Sequence, residues 1–70
     1  MNANKIRGKI AENRMSVSEF CRVAGFTRAT FDRKMNGDSE FDRYEIERIV
    51  RTLHLTDDEM RLIFFENVVA

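Results

Sequence analysis

The chain has 70 residues, with 12 Lys+Arg balanced by 12 Asp+Glu, 43% hydrophobic and 34% charged residues, and no proline. That apolar content excludes a disordered tail, and the length allows one core only, so a single helix-rich domain over residues 1–70 is predicted. One cysteine excludes an intrachain disulfide, and the lone His54 has no Cys or His at metal-ligand spacing. The longest apolar run, 62–65, is far short of the roughly 20 residues a membrane span needs. The N-terminus has no signal-peptide core, so an unprocessed protein of a reducing cytoplasm is expected, with no membrane association, metal or cofactor.

Zero net charge conceals a division. Residues 1–34 carry eight basic and three acidic side chains, while residues 35–70 carry four and nine. If the division survives folding, one face can approach a polyanion while the other repels it, which orients the encounter.

In chain order, Ile6 and Ile10 lie one turn apart and predict a first helix over about 4–13. Ser16 and Glu19 have capping-box spacing, and Met15 with Phe20 forms a hydrophobic staple, so a second helix runs 16–24 with Phe20, Cys21 and Ala24 inward. Gly25 can take the left-handed conformation that ends it. Phe26, Thr27 and Phe31 repeat the staple and cap without the acid, opening a third helix that buries Phe31 and Met35 and closes at Asn36 and Gly37. Asp42 with Glu45, and Thr56 with Glu59, start a fourth and a fifth helix, stapled by Phe41 with Ile46 and Leu55 with Met60. Their inward stripes are Ile46, Ile49, Val50 and Leu53, then Met60, Ile63 and Phe64, and together they span about 42–66. Phe65 lies about 100° round from Phe64, awkward for one core and suited to a subunit interface. Val68 and Val69 are β-branched and read either as a frayed end or as a strand paired across a dimer.

Only Gly25 and Phe26 join the second and third helices, which forces the sharp angle of a helix-turn-helix over about 16–35. With Phe31 inward, Ala29 and Arg33 point outward, flanked by Thr30 and Asp32. An α-helix fits the major groove, where arginine can donate two hydrogen bonds to guanine and a small apolar group can meet a thymine methyl. Asp32 has two readings: it accepts from a cytosine amino group, or it pairs with Arg28 one turn earlier. Cys21 reads as packing, His54 as a surface residue at a helix end, and Asp57, Asp58 and Glu59 as acids matched to a helix dipole. No nucleophile–base pair, phosphate-cradling glycine loop or inward carboxylate pair is present in the sequence, which argues against an enzyme.

From residue 6 to about 65 the chain resembles the lambda-repressor-like, Cro/CI-type helix-turn-helix family, particularly short phage and prophage regulators. "MSVSEFCRVAGFTRATFDRKMNG" matches the family frame without a gap, and "FDRYEIERIVRTLHLTDDEMRLIFF" continues like its fourth and fifth helices. The resemblance implies an all-α, five-helix DNA-binding domain with Arg28, Ala29, Thr30 and Arg33 reading bases. It puts Ser16, Lys34, Asn36 and Arg43 at or near phosphates, with the amide end of the second helix anchoring one phosphate. A Cro-like repressor is expected, acting without a small-molecule ligand as a homodimer on a double-stranded operator in the cytoplasm of a bacterial host, its dimer interface including Phe65, Val68 and Val69. Val17 stands where many relatives have glutamine, and Asp38, Glu40 and Asp42 where relatives often have basic residues. Those carboxylates should lower affinity for DNA, and the acidic second half of the chain motivates the alternative expectation, an antirepressor or modulator that uses the same fold to bind another regulator.

Overall fold

Five helices and no strand make up residues 1–65, the part of the chain that the computed structural model describes. They are α1 (Ala3–Glu12), α2 (Val17–Ala24), α3 (Arg28–Met35), α4 (Arg43–Leu53) and α5 (Asp57–Phe64). The all-α expectation holds, and each of α2 to α5 starts at the expected cap. Ser16, Thr27, Asp42 and Thr56 each accept from the backbone N–H three residues on, and all but Thr27 complete the box through Glu19, Glu45 or Glu59. The first helix differs from expectation. Asn2 caps it by accepting from the Lys5 amide, so it begins at Ala3, and the Asn2 amide donates to the Ile63 carbonyl at 2.7 Å. The fifth ends at Phe64, short of 66, because Phe65 leaves helical geometry at φ −129° and ψ 19°. Val68 and Val69 lie outside the described residues.

Three of the four joints share one construction. Arg14, Gly25 and His54 take left-handed φ of 59°, 84° and 54°. The following Met15, Phe26 and Leu55 each donate back five residues, to the carbonyls of Ile10, Cys21 and Val50. Each of these apolar residues thus closes one helix and stands just before the cap of the next, Ser16, Thr27 or Thr56. At the fourth joint Gly37, φ 87°, is followed by Asp38, which donates to Arg33, and the chain then runs on to Phe41 before α4.

The helix α2 lies at the centre, packed against α1, α3 and α4, while α5 closes against α1. Ile6, Ile10, Phe20, Phe31, Ile49 and Ile63 are fully buried. Phe20, Phe26, Phe31, Phe41 and Phe64 form a chain of ring contacts with neighbouring centroids 5.4–6.4 Å apart, running from α2 through α3 to α5. Ile46, Val50 and Phe64 are half-buried against the same core. Arg48 of α4 holds the centre in place: its Nε donates to the Ala24 carbonyl at 2.9 Å, at the C-terminal end of α2, and its guanidinium stacks over Phe26.

Two ion pairs cross between the basic and acidic halves of the chain. Lys9 of α1 meets Glu59 of α5, and Lys34 of α3 meets Glu45 of α4. The Lys9 ammonium and its hydrogen bond hold the Glu59 carboxyl below its usual range, and Glu59 in turn raises Lys9. Part of the charge division is therefore neutralised inside the fold.

Cys21 is buried, and burial pushes its thiol pKa up, so it packs as a small apolar group. Cys21→Ser puts a hydroxyl in that place and is expected to cost roughly 1–3 kcal/mol in thermal or urea unfolding. A variant with parental melting but lost DNA binding contradicts the packing role.

Candidate nucleic-acid interface

Helix α3 presents two outward rows, each made of residues four apart and therefore on one face. The first is Ala29 and Arg33, both exposed. Arg33 is exposed, and none of its five N–H donors has a side-chain hydrogen bond or ion pair among the described residues. The second row is Arg28 and Asp32, which pair with each other, Nε to Oδ1 at 3.1 Å. Of the two readings of Asp32, the pairing is the one the free protein adopts. Arg28 Nη1 also donates to Ser18 Oγ of α2 at 2.8 Å, a contact between the two helices that periodicity does not reveal. Thr30 is half-buried at the flank, and its amide is held by the Thr27 cap.

Why α3 stands proud follows from the turn. Gly25 bends the chain without a Cβ, and one added there would meet only Arg48 Nε at 3.7 Å, an ordinary contact. Glycine is thus favoured by φ, and packing does not demand it. Phe26 and Phe31 then anchor one side of α3 in the core, which leaves the Ala29–Arg33 row facing outward.

The residues expected near phosphates are not equivalent. Ser16 is exposed at the start of α2; its Oγ accepts from the Glu19 amide, which leaves the hydroxyl proton available as a donor. The Glu19 carboxylate, however, accepts from the Ser16 amide and brings negative charge to the same helix end. Asn36, exposed after α3, has a side chain with no hydrogen-bond partner among the described residues. Arg43 is exposed at the first position of α4, with Nε 3.5 Å from Glu47.

Lys34 is placed differently from its expectation. Only 12% of its side chain is exposed, its ammonium is paired with the equally buried Glu45, and it lies 5.9 Å from the centre of the Phe41 ring. A phosphate at this lysine would share its ammonium with Glu45. Val17 is half-buried against the core and carries no polar group to a backbone. Asp38 and Glu40 are exposed, and neither has an ion-pair partner among the described residues. Glu40 lines a groove with Met1, Phe41, Phe64 and Phe65 at the end of α5, where Met1 and Phe65 each leave 43% of their surface exposed.

A core-anchored helix set at a sharp turn, carrying a small residue and an exposed arginine without a partner among the described residues on its outer row, defines a helix-turn-helix DNA-binding domain. Residues 5–59 match the Cro/C1-type HTH DNA-binding domain, and the chain belongs to that family. No curated protein and no solved structure matches the chain. Among the described residues no helix is long and apolar enough to cross a membrane.

Proposed function

We propose that the chain is a homodimeric, sequence-specific transcriptional regulator that occupies an operator and blocks polymerase, as a Cro-like phage or prophage repressor does in a bacterial cytoplasm. The observation that carries this reading is the exposed Arg33, without a partner among the described residues, beside Ala29 on the outer row of α3. Arg28, Ala29, Thr30 and Arg33 read base edges; Ser16, Asn36 and Arg43 set the register on phosphates; Lys34 joins them with an ammonium already shared with Glu45. Arg33→Ala is expected to cost roughly 1–3 kcal/mol in binding and to relax preference at one base pair per half-site. Duplexes selected from a random pool by the parent protein provide the assay, and they should contain two half-sites about 10 base pairs apart. If Arg33→Ala binds every selected duplex as the parent does, with its helical circular dichroism intact, the reading is wrong.

The dimer is supported by the exposed Phe65 and Met1 beside the apolar groove of Phe41 and Phe64. Phe65→Glu is expected to move sedimentation at micromolar concentration from dimer to monomer. A parent protein that already sediments as a monomer removes the dimer from the proposal.

The exposed Asp38 and Glu40 favour a second reading, a modulator that binds another regulator through the same fold. Salt separates the two. A phosphate-binding protein loses duplex affinity steeply as salt rises, whereas a modulator binds no duplex even at low salt and co-purifies with a protein partner.

A further inference from the structure

We propose that Ser18 and Asp32 are positioning residues that hold the Arg28 guanidinium ready to read one guanine, while Arg33 is left to adapt on contact. The proposal rests on the DNA-reading function above and assigns two residues to it. Arg28 is tied from two helices: to Ser18 Oγ of α2 through Nη1 and to Asp32 Oδ1 of α3 through Nε. Of its five N–H donors two are used, so one remains on Nη1 and two on Nη2. Each terminal nitrogen keeps a donor, which is what the adjacent N7 and O6 acceptors of guanine require.

The two anchors have no other described task. Neither Ser18 Oγ nor the Asp32 carboxylate makes another hydrogen bond among the described residues, and both residues are exposed. A carboxylate on a face that meets DNA opposes the phosphates, so its presence on the reading helix needs a compensating role. Ordering a flexible arginine before contact supplies one, because the rotamer freedom is lost in the free protein and not on binding.

The test measures binding to a duplex selected from a random pool by the parent protein, and to its single base-pair variants. Arg28→Ala is expected to remove a roughly ten- to hundredfold preference at one base pair per half-site. Ser18→Ala and Asp32→Ala should each lose roughly three- to tenfold at that same base pair, the effect of one anchoring hydrogen bond. Asp32→Asn keeps an acceptor and should restore part of the preference. Asp32→Ala should meanwhile bind a random duplex at least as tightly as the parent, since a negative charge has gone.

A tie that serves the fold alone would behave otherwise: Ser18→Ala and Asp32→Ala would weaken binding to all duplexes equally, in step with lowered melting, and this overturns the proposal. Loss of preference at a base pair other than the one Arg28→Ala relaxes overturns it too. If Arg33→Ala relaxes a base pair and Arg28→Ala none, the positioning role fails and the DNA-reading function stands. A parent protein that retains no duplex at low salt removes both.

Discussion

Phe31→Ala is expected to leave the protein only marginally stable at 25 °C, with a substantial unfolded fraction. Phe31 is 1% exposed, and its ring centroid lies 5.4 Å from that of Phe20, 5.7 Å from Phe26 and 5.9 Å from Phe41. Removing such a ring typically costs about 3–5 kcal/mol, because the transfer of the ring and the cavity it leaves both count. A domain of this length has a total stability on the order of 5 kcal/mol, so little remains. Phe31→Leu keeps most of the volume and should stay folded with a lower melting temperature. Far-UV circular dichroism through a thermal scan checks both. A Phe31→Ala protein that melts cooperatively within a few degrees of the parent would show that α3 is held by something other than its aromatic anchor.

Glu45→Ala should be the most damaging change of a charged residue. Glu45 accepts from the Asp42 amide to complete the cap of α4, and it also pairs with the Lys34 ammonium. Both side chains of the pair are only 12% exposed, so removal of the carboxylate strands a mostly buried positive charge as well as an amide. A loss of about 2–3 kcal/mol in urea unfolding is expected, below the range for fully buried pairs because some solvent still reaches this one. Lys34→Met should cost less, since Glu45, though left without its ammonium, still accepts from the Asp42 amide and an apolar chain can still cover Phe41. Equal losses in the two variants would mean that the ion pair, and not the cap, carries the effect.

These two residues also show what was legible before the structure. Phe31 is legible as core because its burial follows from periodicity and from a staple with Phe26, both local in sequence. Glu45 was legible as a cap for the same reason, but its partner Lys34 lies eleven residues earlier in another helix, and that pairing depends on how α3 docks against α4. Ser18 and Arg28 are similarly joined only after the turn has folded. The ends of α1 and α4 were harder to read than that of α2, because Arg14 and His54 adopt a conformation whose usual sequence signal is glycine. Met15 and Leu55, apolar and just ahead of a cap, were the available clue. The outward row of α3 is legible as a direction, since 100° per residue suffices for that, and so is the pairing of Arg28 with Asp32 one turn on; the ties of Arg28 to Ser18 and of Lys34 to Glu45 are not.

The shared joint has a further consequence for where the fold carries strain. A side chain with a Cβ held in left-handed geometry typically costs about 1–2 kcal/mol relative to the right-handed form. The chain accepts that cost after α1, at Arg14, and after α4, at His54, while the joint between α2 and α3 has glycine and avoids it. The corners at both ends of α3, at Gly25 and Gly37, thus avoid the strain, and the two strained corners lie outside them in the chain. Heat or denaturant can relieve conformational tension by opening those outer corners, whereas the turn at Gly25 offers no such release. The angle of the helix-turn-helix is therefore placed where the backbone has least to gain by letting go.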